Sequence, residues 1–133
     1  MRPKTVMNIL IGLVLGAGTI ILHVSISKPH GLELTSFLLV IIASIYYGFA
    51  FLSTHKAARI IEISVASTFV IMAISGLWVS PWILIAGLFL HGLWDIAHHN
   101  KIFKLVEIPM WYVPFCATYD WTIAIYLTCI YWN

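Results

Sequence analysis

The sequence predicts an all-α polytopic membrane protein, a bundle of five transmembrane helices with its N-terminus in the cytoplasm. Three observations carry that expectation. Hydrophobic residues fill 62% of the 133 positions and charged residues only 9%, whereas a soluble domain carries about 25% charged residues. Five segments approach the roughly 20 apolar residues that cross a hydrocarbon core. The basic residues also sort by side: with the N-terminus inside, Arg2, Lys4, Lys56, Arg59, Lys101 and Lys104 fall inside and Lys28 outside, which is the positive-inside bias.

The elements follow in order. Arg2 and Lys4 precede an apolar run from Ile9 to Leu22, which resembles a signal peptide. No small-x-small cleavage site follows, so a retained first helix near 6–26 is expected. A loop at 27–34 carries Pro29 and Gly31 and leads to a second helix near 35–53. His55 and Lys56 mark a short turn before a third helix near 58–79. Ser80-Pro81 is a tight turn with proline placed to open a fourth helix near 81–98. A longer connection with Pro109 leads to a fifth helix near 112–132. Trp78, Trp82, Tyr131 and Trp132 fall at the outer boundary and Trp111 and Tyr112 at the inner one, as aromatic belts do. The whole chain, 1–133, is expected to form a single integral membrane domain.

Gly12 and Gly16 form a small-xxx-small pair that allows close helix packing, within the chain or between copies in a homo-oligomer. Cys116 and Cys129 are thirteen positions apart on one helix, roughly 20 Å, too far to pair. There is no long repeat, no low-complexity tract and no nucleotide-binding glycine loop, and no nucleic-acid partner is expected.

The chemistry concentrates in His91-Gly-Leu-Trp-Asp95-Ile-Ala-His98-His99. Ionisable groups at membrane depth are costly and mark functional sites. At helical spacing, positions 91, 95 and 98 share a face. The expected depths of Glu62, Asp95 and Asp120 agree, roughly 5–10 Å inside the inner boundary. These acids would cost too much facing lipid, so they are expected to converge with His91 on a polar pocket open to the cytoplasm. His91, Asp95, His98 and His99 are the candidate metal ligands; Glu62 and Asp120 are the candidate catalytic acids. His91 and His98 are separated by about 10.5 Å along the helix, so pairs such as His91 with Asp95 are easier bidentate clips.

Each candidate has a structural alternative. Asp95 could be a salt-bridge partner or a helix cap. His98 and His99 suit the helix C-terminus. Glu62 has Arg59 at i−3, and Asp120 suits a helix start. Tyr46 and Tyr47 suit packing, although one could bond a carboxylate in the pocket. Cys116 is read as a small buried residue, with ligation as the alternative.

The run from His91 to His99, followed by Trp111-Tyr112 and by Cys116 with Tyr119-Asp120-Trp121, resembles an uncharacterised family of small bacterial integral-membrane proteins. That resemblance covers most of the chain and implies no activity. The histidine spacing is also similar to the boxes of membrane desaturases and hydroxylases. Here an aspartate stands in the first box and no second box exists, which argues against a full di-iron site.

The expected function is a metal-dependent enzyme, with Zn or Fe as cofactor, acting on a lipid or other apolar substrate in a bacterial cytoplasmic membrane. Two histidines and a carboxylate suit either metal. The alternatives are a proton or cation carrier working as an oligomer, an acid-catalysed isoprenoid isomerase or cyclase, and a scaffold in which the polar cluster only locks helices together.

Overall fold

A computed structural model describes residues 3–99 and 105–132, except the side chain of His99. Five helices make up its regular structure: α1 (Pro3–Ser25), α2 (Lys28–Leu52), α3 (Lys56–Trp78), α4 (Pro81–His99) and α5 (Tyr112–Tyr131). Arg2, Lys101 and Lys104 lie outside the described residues.

Four helices, α1, α2, α3 and α5, are long and apolar enough to cross a membrane. α4 has 19 residues and carries His91, Asp95 and His98. Large apolar side chains face outward around the bundle, including Val14, Phe37, Ile71 and Ile125. An exterior of this kind is what an integral membrane protein presents to hydrocarbon.

Helix ends follow local chemistry. Ser80 Oγ accepts from the Trp82 N–H at 3.4 Å, and Pro81 opens α4, with the proline at a position where a missing N–H costs nothing. The largest departure from expectation is at α2, which starts at Lys28 rather than near residue 35. Pro29, expected in a loop, stands in its first turn, where its fixed φ suits a helix start. The connection from α1 therefore shrinks to Ile26 and Ser27, and Glu33 becomes an exposed residue of α2.

Successive helices run antiparallel. Ser36 of α2 donates to the Ala73 carbonyl of α3 at 2.9 Å. Gly76 of α3 lies against Leu84 of α4, and Gly92 of α4 against Trp121 of α5. α1 then packs on α5, side by side with it. Each inner helix buries one stripe at intervals of three and four, the period of a packed helix face. On α3 it reads Ala58, Glu62, Ala66, Phe69, Ala73 and Gly76. On α4 it reads Leu84, Leu88, His91, Asp95 and His98. On α5 it includes Cys116, Asp120, Ile123 and Leu127. The stripes of α4 and α5 are apolar toward the Trp78 end and turn polar toward the Lys56 end. That switch places the site.

α1 buries little beyond Gly12, Gly16 and His23. The Gly12–Gly16 face, a candidate surface for self-association, is occupied by the chain's own α5. A Cβ on Gly12 would stand 2.5 Å from the Phe115 carbonyl oxygen, and one on Gly16 2.8 Å from Thr122 Cγ2. Near the other end of α1, the ring of His23 covers Gly31 and its Nδ1 meets the Tyr126 hydroxyl at 3.2 Å. Gly18 has nothing within 4 Å. Gly12→Ala is therefore expected to destabilise the protein by about 1–3 kcal/mol through overpacking, while Gly18→Ala leaves stability unchanged or slightly higher. Thermal unfolding in detergent checks the pair, and equal losses for both would contradict this packing.

Candidate metal centre

The polar stripe of α4 divides between two partners. His91 bonds Asp120 of α5 and His98 bonds Glu62 of α3; they share a face of α4 but stand about 10.5 Å apart along it, so they meet partners at different depths. Two buried polar groups result, and they differ in one respect that matters.

The first group joins α4 to α5. His91 Nδ1 donates to Asp120 Oδ2 at 2.8 Å and lies 3.9 Å from Asp95 Oδ2. Cys116 Sγ lies 3.9 Å from the same Asp120 oxygen and 3.4 Å from the Tyr112 hydroxyl. Tyr46 of α2 donates its hydroxyl to Asp95 Oδ1. The residue pairs on both helices are spaced i, i+4, so Cys116 and Asp120 present one face just as His91 and Asp95 do. One donor atom from each of His91, Asp95, Cys116 and Asp120 falls within 4.8 Å of the others. His91, Asp95 and Asp120 are fully buried and Cys116 is 1% exposed.

The second group joins α3 to α4. His98 Nε2 donates to Glu62 Oε1 at 2.5 Å, and its Nδ1 faces the Trp94 carbonyl at 3.0 Å. Glu62 Oε2 accepts from Trp94 Nε1 at 3.3 Å. Arg59, the alternative partner for Glu62, donates instead to the Ser53 carbonyl. Tyr46 stands between the groups, edge-on to both histidine rings at 5.3 and 5.7 Å. Tyr47 bonds Ser67 and takes no part.

The contrast is in satisfaction. Both oxygens of Glu62 and both ring nitrogens of His98 have partners, as in a closed structural lock. In the α4–α5 group, His91 Nε2, Asp95 Oδ2 and Asp120 Oδ1 are buried with no hydrogen-bond partner. Buried polar groups are nearly always paired, and an unpaired one requires a stated cause. Three fall in this one group, against one each at His23 and Arg59, which marks the group as a candidate site for a bound species.

A transition metal fits that group. Ligands on a tetrahedral zinc stand roughly 3.3–3.8 Å apart, given bond lengths of about 2.0–2.3 Å. Separations of 2.8 Å (His91 Nδ1 to Asp120 Oδ2), 3.9 Å (His91 Nδ1 to Asp95 Oδ2) and 3.9 Å (Cys116 Sγ to Asp120 Oδ2) bracket that range. One donor from each residue lies within 4.8 Å of the others; ligation through His91 Nδ1 would take the place of its hydrogen bond to Asp120. Nitrogen, oxygen and sulfur donors together suit zinc or iron better than magnesium or calcium.

The candidate residues are thus redistributed. His91 and Asp95 share the group; Asp120, expected as a catalytic acid, joins them as a potential ligand. Glu62 and His98 lie in the neighbouring lock. Only the backbone of His99 is described, as the last residue of α4; its side chain lies outside the described residues. Cys116 and Tyr46 emerge as members that depth alone did not single out. The i, i+4 spacing of Cys116 and Asp120 was the signal available in the sequence.

The lock makes a separate prediction. His98→Ala leaves Glu62 buried without its hydrogen-bond partner and is expected to cost about 3–5 kcal/mol. A double replacement, Glu62→Leu with His98→Leu, removes both polar ends and should recover much of the loss. Denaturation midpoints of the single and double variants decide it; strict additivity of two large losses would contradict the lock.

The chain matches no curated protein and no solved structure. A family model described as a family of unknown function, DUF6010, matches residues 6–132. That match takes in α1 from Val6 onward, the other four helices and both polar groups, and the protein belongs to this family.

Proposed function

We propose that the protein is a five-span integral membrane protein of the bacterial cytoplasmic membrane, with its N-terminus inside. In this reading it is a metal-dependent enzyme that acts on a lipid or other apolar substrate. His91, Asp95, Cys116 and Asp120 hold the metal, zinc or iron. The observation that carries the reading is the convergence of buried donors from His91, Asp95, Cys116 and Asp120 within 4.8 Å of one another, with Asp95 Oδ2 unpartnered. In the Glu62–His98 pair, by contrast, every side-chain oxygen and nitrogen is engaged.

A bound zinc or iron would supply a centre that polarises oxygen or activates water. The chain's own contribution is orientation and dryness. Tyr46 fixes one oxygen of Asp95, Tyr112 contacts Cys116, and Phe69 packs against the His91 ring at 4.9 Å. An apolar setting keeps bulk water from the donors and favours substrates that partition from the bilayer.

Transport is a second reading, favoured by one observation. Polar side chains continue along the α1–α5 seam toward the Trp78 end: Thr19 meets Tyr119 at 3.1 Å, and His23 meets Tyr126. Along each helix, however, steps between these pairs are one or two turns, roughly 5–11 Å, wider than a direct relay allows. The enzyme reading therefore leads.

Elemental analysis of protein purified without chelator or histidine tag tests the metal. A stoichiometric transition metal is expected in the wild type. Asp95→Ala and Asp120→Ala should each weaken binding at least tenfold, the scale on which even outer-shell partners act. His30→Ala, whose ring bonds Ser27 at the exposed α1–α2 turn, should change nothing. Uptake should fall as pH falls, because protons compete for each donor. Absence of metal in the wild type, before and after loading, would remove the metalloenzyme reading.

The orientation is tested by labelling single cysteines placed at Lys28 and at Lys56. Lys56 should be reached from the cytoplasm and Lys28 from the other side. Labelling of both from one side would overturn the topology.

A further inference from the structure

Three aromatic rings form a cluster beside the α4–α5 group: Tyr46 and Phe49 from α2 and Tyr112 from α5. They meet edge to face in every pairing. Ring centroids stand 5.7 Å apart for Tyr46 and Phe49, 5.6 Å for Phe49 and Tyr112, and 6.3 Å for Tyr46 and Tyr112. Such pairs fix ring orientation. Spacing places the rings: Tyr46 and Phe49 are i, i+3 on α2, and Tyr112 precedes Cys116 by one turn of α5.

Tyr46 is 1% exposed and Tyr112 4%. A buried phenol usually finds a partner for its hydroxyl, and each of these finds a different member of the group. Tyr46 donates to Asp95 Oδ1. The Tyr112 hydroxyl stands 3.4 Å from Cys116 Sγ.

The Tyr46 bond makes the two oxygens of Asp95 unequal. Oδ1 is engaged, while Oδ2 has no partner and lies 3.9 Å from His91 Nδ1. The carboxylate is thus held by one oxygen and presents the other. Cys116 would ligate as the thiolate, which accepts hydrogen bonds and cannot donate. The Tyr112 hydroxyl then becomes the donor, and hydrogen bonding at a ligating sulfur tunes the metal.

We infer that Tyr46 and Tyr112 are positioning residues of the metal centre. Tyr46 aims Asp95 Oδ2 at the ion, Tyr112 sets the electron density on Cys116 Sγ, and Phe49 packs against both rings. These roles rest on the metal reading of the group and name what orients and tunes its ligands. Phenylalanine at either position would fill nearly the same volume, so the hydroxyl alone is what reaches a ligand.

The test is cobalt binding by the full-length protein in detergent, followed by visible and near-ultraviolet absorption. Tyr46→Phe should weaken binding at least about tenfold, the scale of outer partners at metal sites. In an Asp95→Ala or Asp95→Asn background the same change should cost less than about twofold, because residues acting through one another are not additive. Tyr112→Phe should retain cobalt and move the sulfur-to-cobalt charge-transfer band to lower energy, since a thiolate without its hydrogen bond gives up electron density more readily. Cys116→Ser should abolish that band. Equal losses from Tyr46→Phe with and without Asp95, or no loss at all, would overturn the role of Tyr46. An unmoved band in Tyr112→Phe would overturn that of Tyr112. A wild type that takes up no cobalt would instead fault the metal reading itself.

Discussion

The interaction on which this structure depends is the contact of His91 with Asp120, closed by Asp95 one turn along α4. An imidazole and two carboxylates without water cost several kcal/mol unless they meet partners. That cost fixes the rotation of α4 against α5, because any other rotation would turn at least one of these groups into hydrocarbon. Tyr46 extends the constraint to α2 through Asp95. The Glu62–His98 contact then fixes α3. Apolar packing alone is weakly directional among helices in lipid, so these polar contacts supply much of the register. α1 is the exception: its place is set by the fit of Gly12 and Gly16 to α5.

The two polar groups divide the labour. The one toward the helix ends is complete, with each oxygen and nitrogen of Glu62 and His98 engaged. The deeper one is held in place by its neighbours yet retains unsatisfied atoms. A fold that spends binding energy on orienting a carboxylate with a tyrosine, while leaving its other oxygen free, is arranged to receive something. Its nitrogen, oxygen and sulfur donors are of the kind that could hold a transition metal ion.

Much of this was legible in the sequence. The apolar runs gave all five helices, and costly polar residues marked α4. Depth along each helix put the acids in one layer, but depth says nothing of rotation. Which acid meets which histidine depends on how α3 and α5 turn about their axes, and that is set by packing. Even so, the buried stripe Ala58, Glu62, Ala66, Phe69 directs Glu62 inward and away from Arg59. Cys116 carries a weak signal on its own because a lone buried cysteine is usually inert; its spacing to Asp120 repeats that of His91 to Asp95. Pro29 suits a loop and the first turn of a helix alike; with Ser27 at the N-cap it falls in that first turn. The Gly12–Gly16 pair announced close packing without naming the partner, which proved to lie within the chain.

The central claim is that His91, Asp95, Cys116 and Asp120 form a metal centre, and its most direct test is X-ray absorption spectroscopy of the zinc-loaded protein. The account predicts one sulfur at about 2.3 Å with nitrogen and oxygen donors at about 2.0–2.2 Å, and loss of the sulfur contribution in Cys116→Ser. A shell of light atoms alone in the wild type, unaltered by that substitution, would contradict it.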